Sequence, residues 1–316
     1  MRQSPLIIFV GLTLLFASAC SEEPAANEAG MGGQQGAGMP SSVIPTTPGA
    51  HPLQIEMDGT VRDFILDIPA GYDGQTPMPL VVFVHGSSQT GNSFINKRHD
   101  RLFDRADAEG WLMVFPTGLE DDRGKTTWNN NTDPANSDGP DDVGFLLAML
   151  DALEANLQIA DGRVFIAGFS AGGVMTQHLV SLHPGRFGAM AAVATGIGGV
   201  CKEQTDTICY VADTTGPIPA LLVLGTNDPS FPIDGRDGDE GPKPSLDEMV
   251  SKWLAANSCT GDPVQTEDEV RTDSYTMCTG DTQVRVVITS MAHIWPDSAA
   301  EGWDANNGVL DFFAQY

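Results

Sequence analysis

Apolar positions along this chain fall into short blocks that switch between two periods. VRDFILDIP (Val61–Pro69) alternates as an early strand would. PLVVFVHG (Pro79–Gly86) and GWLMVFPTG (Gly110–Gly118) are continuous apolar runs, the pattern of strands buried on both faces. RVFIAG, ending at Gly168, RFGAMAAVATG (Arg186–Gly196), IPALLVLGTND (Ile218–Asp228) and QVRVVITS (Gln283–Ser290) extend the series. Between them the spacing turns helical. In Asp141–Gln158 the residues Val143, Leu146, Leu147, Leu150 and Leu153 recur on one side, and acidic residues in the first turn suit the helix dipole. Ser170–Leu182 reads as a helix, Ser245–Asn257 opens with Ser245 and Glu248 at capping-box spacing, and GWDANNGVLDFFAQY closes the chain as another helix. Strands alternating with helices predict an α/β fold, a mostly parallel, doubly wound sheet with helices on both faces. The one long irregular stretch is Glu120–Pro140, a length that marks a functional or disordered loop.

The N-terminus follows neither period. MRQSPLIIFVGLTLLFASAC has a basic Arg2, an apolar stretch from Leu6 to Ala19 too short to span a bilayer comfortably, and small residues before Cys20. Residues 1–20 are therefore expected to be an export signal. The segment is similar to a bacterial lipoprotein processing site, which makes Cys20 the lipidated residue, although Ala17 stands where leucine is commonest. Residues 21–50, rich in Gly, Ala, Pro, Ser and Gln, are expected to be a disordered tether, and residues 51–316 the catalytic domain. The expected location is extracellular or cell-envelope, on a lipid anchor, as a monomer.

Charge narrows the partners. The 316 residues carry 16 Lys and Arg against 42 Asp and Glu, a net charge of −26, which repels nucleic-acid phosphates and anionic membranes. A membrane is then expected only through the anchor. With Cys20 assigned to lipid, four cysteines remain, and an even number in an oxidising compartment suggests two disulfides. Three pairings are open; the short closures Cys201–Cys209 and Cys259–Cys278 are preferred. No cysteine or histidine spacing suggests a metal site, and no cofactor is expected.

The candidate chemistry centres on Gly168-Phe169-Ser170-Ala171-Gly172. A G-x-S-x-G pentapeptide is weak evidence in a chain with 35 glycines, but between a buried strand and a helix it has the context of a nucleophile elbow. Serine is a poor nucleophile without a base. The order Ser…Asp…His puts Asp228 just past one apolar strand and His293 just past the last, at the strand ends where such sheets assemble their sites. Of the six histidines, only His293 has that order and placement. His51 adjoins the tether, His99 and His183 lie in polar surroundings, His178 is inside a helix, and His85 suits an oxyanion loop. Asp234, Asp237 and Asp239 follow Asp228 but read as loop charges. HGSSQTG (His85–Gly91) would supply one oxyanion N–H, Ser87 first with Gly86 and Ser88 as neighbours, and Ala171 the other. Trp128 and Trp295 are candidate substrate-packing residues.

PLVVFVHGSSQTG, DDVGF, RVFIAGFSAGGVMTQHL, LLVLGTNDPSFPIDG, the cysteine after KWLAANS and HIWP together resemble the α/β-hydrolases that include polyhydroxybutyrate depolymerases and feruloyl esterases. The resemblance runs from about Arg62 to Pro296. It implies Ser170 as nucleophile, His293 as base and Asp228 as its orienting acid, and it supports the Cys259–Cys278 pairing. Met291-Ala292 departs from the glycine pair common before the histidine, and Ser87-Ser88 from the usual Gly or Cys. The activity implied is a serine carboxylic-ester hydrolase forming an acyl-enzyme, first on feruloyl or acetyl esters of plant polysaccharide and second on a polyhydroxyalkanoate. The short segment between Thr195 and Pro217 leaves no room for a large lid, so polymer-borne esters are reasonable substrates. Two rivals are a serine peptidase using the same triad and a non-catalytic surface-binding protein. A metal-dependent hydrolase ranks last.

Overall fold

The computed structural model describes residues 39–40, 43–129, 139–200, 208–211, 213–214, 216–237, 242–268, 270–298 and 303–316. Cys20, Cys201 and the proposed Cys201–Cys209 bridge lie outside the described residues.

One sheet organises the domain. Its strands are β1 (Met39–Pro40), β2 (Gly49–Met57), β3 (Thr60–Ile68), β4 (Met78–Val84), β5 (Leu112–Pro116), β6 (Ile159–Phe169), β7 (Ala189–Val193), β8 (Ala220–Gly225), β9 (Val264–Glu267), β10 (Arg271–Tyr275) and β11 (Val284–Thr289). Their spatial order is β1-β2-β3-β5-β4-β6-β7-β8-β11-β10-β9. The six strands from β5 to β11 pair in parallel, and antiparallel strands flank them on both sides. The helices are α1 (Gly91–Glu109), α2 (Asp142–Asn156), α3 (Ala171–Leu182), α4 (Leu246–Ala256) and α5 (Ala305–Phe313).

The continuous apolar runs explain why the parallel strands are central. Leu80, Val82 and Val84 of β4 join a core beneath α2, α3 and α4, while Val81 and Phe83 point to a second core beneath α1 and α5. Both faces of the strand are thus covered, and period two assigns each side chain to its layer. Fully burying one such side chain contributes about 1.5–3 kcal/mol, so these short strands hold much of the core.

The strands and helices read from the sequence all form, each within three residues of its expected ends except β6, which begins four residues earlier, at Ile159. The domain begins earlier than residue 51. Ile44 is buried in the first core, β2 starts at Gly49, and β1 pairs with β2. Further elements escaped the pattern, chiefly α1, capped reciprocally by Thr90 and Ser93, and the polar β9–β10 hairpin at the sheet edge, together with three short two-stranded ribbons. The Cys259–Cys278 disulfide joins the end of α4 to the turn after β10.

Candidate active site

Three strand ends assemble the site. Ser170 follows β6 in a tight turn at φ 54°, ψ −121°, a left-handed conformation that a non-glycine residue holds only at a cost of about 1–3 kcal/mol. The surroundings over-determine it. The Ser170 N–H donates to Val193 O of β7 (3.0 Å), and the Thr195 hydroxyl donates to Ser170 O (2.8 Å). Gly172 is a packing requirement, because a β-carbon there would collide with the Val84 and His85 carbonyls of the neighbouring strand.

Asp228 lies in the turn after β8, buried, with one carboxylate oxygen accepting the Ser230 (2.7 Å) and Phe231 (3.0 Å) N–H groups. Its other oxygen is 2.9 Å from His293 Nδ1. His293 Nε2 is in turn 2.9 Å from Ser170 Oγ. The imidazole is held between Phe169 and Phe231, with ring centroids 5.2 and 5.7 Å away. The loop that carries His293 passes against the end of β8, where the Met291 carbonyl leaves no space for a β-carbon on Gly225. With Nδ1–H donating to a carboxylate that backbone N–H groups keep in place, Nε2 is presented as acceptor to the serine hydroxyl. That arrangement can remove the Ser170 proton as the oxygen attacks a carbonyl carbon.

The loop after β4 faces the same point. The Ser88 N–H is taken by Thr126 O (2.7 Å) and the Gly86 N–H leans toward Gln89 Oε1 (3.4 Å). Ser87, exposed and lining the cleft, is the remaining N–H of the three expected there, and Ala171 heads α3 opposite it. His85 does not face substrate. It is fully buried, its Nδ1–H donates to Gly86 O (2.8 Å), and Nε2 accepts from the Gly118 N–H (3.0 Å). Burial pushes its imidazole pKa down to about 4, against a smaller opposing effect of the bond to Gly86. It is therefore a neutral strut under the loop.

The cleft has a volume of about 440 Å³ and is lined by Ser87, Thr127, Ser170, Ala171, Phe231 and His293, among others. Neither tryptophan expected to pack substrate reaches it. Trp128 is buried and donates from Nε1 to His85 O (2.8 Å), and Trp295 is buried against Phe83 and Phe94 with Nε1 donating to Asn306 (3.0 Å). The aromatic wall is Phe231 instead. Asp234 and Asp237 are exposed loop charges, as read from the sequence, and Asp239 lies outside the described residues.

Residues that support the site went unread. Arg62 of β3 pairs with Asp142 at the start of α2, both buried, with the Arg62 guanidinium over the Phe145 ring. Asp142 also accepts from the Asn129 N–H (2.5 Å) beside Trp128. Burial pushes the Asp142 carboxyl above its ordinary range, and Arg62 opposes that shift. The signal available was the DDVGF segment, whose second acidic residue is buried rather than solvated.

Comparison with known proteins addresses the same region. Residues 63–213 match the family described as esterase PHB depolymerase. The resemblance read from the sequence is borne out. The matched segment carries β4, the loop with Ser87, and Ser170; Asp228 and His293 lie beyond it. The chain is similar to the Aspergillus terreus protein named "Probable feruloyl esterase C", with 29% identity over 202 residues, 63% of each protein. It is also similar to feruloyl esterase C of Emericella nidulans, with 30% identity over 179 residues, 55% of this chain and 57% of that protein. The chain thus spans less than two thirds of the length of these curated relatives. Among solved structures, an acetyl xylan esterase from Aspergillus awamori superposes with a TM-score of 0.58 at 12% identity, covering 81% of this chain and 94% of the other. Native pOPH superposes with a TM-score of 0.57 at 16% identity, covering 87% and 89%. The fold is that of the α/β-hydrolases.

Proposed function

We propose that this chain is a serine carboxylic-ester hydrolase in which Ser170 attacks the ester carbonyl, His293 carries the proton and Asp228 orients His293. The observation that carries this reading is the continuous hydrogen-bonded line from Asp228 Oδ2 through His293 to Ser170 Oγ, 2.9 Å at each step, at the elbow of a strained turn. In the first half-reaction Ser170 Oγ bonds to the carbonyl carbon and its proton passes to His293 Nε2. The oxyanion is met by the Ser87 and Ala171 N–H groups, and His293 returns the proton to the departing alcohol. In the second half-reaction water, deprotonated by His293, releases the acid. Each oxyanion donor is worth about 2.7–4 kcal/mol of barrier in comparable sites.

Feruloyl or acetyl esters of plant polysaccharide are the proposed substrates. The support is the similarity to proteins named feruloyl esterase and to the Neocallimastix patriciarum acetylxylan esterase/xylanase XynS20E, 28% identical over 170 residues. The family description favours a second reading, a polyhydroxyalkanoate depolymerase. The enzyme is proposed to work as a monomer outside the cytoplasm, held to a membrane by lipid on Cys20.

Assays of one preparation on methyl ferulate, acetylated xylan, p-nitrophenyl esters of rising chain length and polyhydroxybutyrate separate the substrates. Ser170→Ala is expected to lower kcat at least ~10³-fold on whichever ester is turned over, while the fold persists. A wild-type burst of nitrophenol and an acyl mass on the Ser170 peptide should accompany it. Ester turnover undiminished in Ser170→Ala would overturn the proposal.

A further inference from the structure

The loop after β4 is clamped by a segment further along the chain. Leu119–Glu120 and Thr126–Thr127 form one of the short ribbons, and its second strand lies against Ser87–Gln89. Thr126 O accepts the Ser88 N–H (2.7 Å), and the Thr126 hydroxyl donates to Gln89 O (2.5 Å). The turn itself closes from the Gln89 N–H to Gly86 O (3.2 Å), and Ser88 is held in it at φ 61°. A non-glycine residue keeps such a conformation only where its surroundings over-determine it, as these bonds do. The loop is thereby fixed against the nucleophile: a β-carbon on Gly86 would come within 3.2 Å of Ser170 Cβ.

Two hydroxyls beside this clamp take no part in it. Ser87 Oγ and Thr127 Oγ1 lie 3.3 Å apart, and both residues line the cleft with Ser170 and His293. Each hydroxyl brings one proton and can also accept. Their mutual bond consumes one of the two protons, and among the described residues neither hydroxyl has a second partner. One O–H is thus left over beside the nucleophile. At 3.3 Å the mutual bond is also long for two hydroxyls. A hydroxyl bonded to an anionic oxygen closes to about 2.5–2.7 Å and binds roughly twice as strongly. Such a donor is weakly engaged before reaction and strongly engaged once charge develops, which is the differential binding that lowers a barrier.

We propose that the Ser87 hydroxyl is a third donor to the oxyanion, beside the backbone N–H of the same residue, and that the Thr127 hydroxyl donates to Ser87 Oγ and so positions it. This rests on the ester-hydrolase reading above. Ser87 is the member of the pair whose backbone N–H already serves the oxyanion in that reading, while Thr127 belongs to the ribbon that clamps the loop. No proton is transferred. The hydroxyl donates a hydrogen bond to the carbonyl oxygen as that oxygen takes charge, and the bond weakens again when the carbonyl re-forms.

Ser87→Ala keeps the backbone N–H and removes only the hydroxyl. On p-nitrophenyl acetate it is expected to lower kcat about 10- to 100-fold, with KM little changed. Acylation and deacylation both pass through an oxyanion, so the loss appears whichever step limits the rate. Thr127→Val, which keeps the shape and removes the hydroxyl, should lower kcat about 3- to 10-fold. In the Ser87→Ala background the same change should add nothing, since its effect runs through Ser87. Ser87 is exposed and Thr127 half-buried, so the urea midpoints of both single variants and the double should stay at the wild-type value, which a merely structural role would shift. Wild-type kcat in Ser87→Ala, or a loss confined to KM, overturns the proposal. So does a loss from Thr127→Val that exceeds that of Ser87→Ala or persists in full in the double variant. Each of these results leaves the esterase reading standing as long as Ser170 remains necessary. Absence of all Ser170-dependent hydrolysis overturns the esterase reading itself.

Discussion

His85 shows what a single residue contributes beneath a reactive loop. Its two ring nitrogens bind the Gly86 carbonyl and the Gly118 N–H, its backbone carbonyl accepts from Trp128, and the ring lies 4.9 Å from that indole. Through its ring and its backbone carbonyl, His85 thus ties the loop after β4 to two other segments. A proton on Nε2 would break the bond from Gly118 and bury a charge. The folded pKa is about 4 against an ordinary 6.5, so the unfolded chain binds the extra proton over that interval. The contribution is fully present above pH 6.5 and is lost as pH falls toward 4, about 3 kcal/mol at the limit. Urea unfolding at pH 7 and pH 4.5 should show a smaller acid-side loss in His85→Asn than in the wild type, although the variant starts less stable. His178, also shifted downward by burial, is common to both proteins and cancels. An equal pH response in both, or a wild-type His85 ring signal titrating near 6.5, would count against this role.

At the scale of elements, the Arg62–Asp142 pair joins β3 to α2 and, through Asn129, to the Trp128 segment that supports His85. A buried pair is of uncertain net benefit, but losing one partner strands the other charge at a cost of about 3–5 kcal/mol. Asp142→Leu should therefore lose most of that range in urea unfolding and reduce kcat, since the loop loses its support. Adding Arg62→Met should restore stability while leaving kcat low. If the single and double variants are equally unstable, the stranded charge is not the cause. The same pair illustrates which elements could be read in advance. β4, β7 and β8 were legible because burial on both faces demands unbroken apolar runs. The β9–β10 hairpin was not, because edge strands facing water carry polar residues such as VQTE and RTDSY. In α1 the apolar positions Phe94, Ile95, Leu102 and Ala106 are too sparse to stand out among charges. The three candidates Ser170, Asp228 and His293 could be picked out because each lies just past the end of a parallel strand. The tryptophans were misplaced because an indole goes where a polar group accepts its N–H, and His85 O and Asn306 Oδ1 are invisible to pattern.

For the molecule as a whole, two electrostatic effects oppose each other. Surface ion pairs favour the fold, among them Arg186 with Asp151 and Glu154, Arg105 with Glu109 and Asp311, and Lys252 with Asp213. Their acidic partners are largely solvated, so each pair is worth only about 0.2–1 kcal/mol. Against them stands the mutual repulsion of a −26 chain, which compaction makes worse. Salt weakens both, but the repulsion sums over many charges at long range and is the first to be screened. Raising NaCl from 0.01 to 0.15 M shortens the Debye length from about 30 to about 8 Å. The thermal midpoint is thus expected to rise by several degrees over that interval and to flatten beyond it, once the screening length is shorter than most charge separations. Differential scanning calorimetry at fixed pH tests this directly. A midpoint that falls between 0.01 and 0.15 M would mean that the local pairs outweigh the net charge.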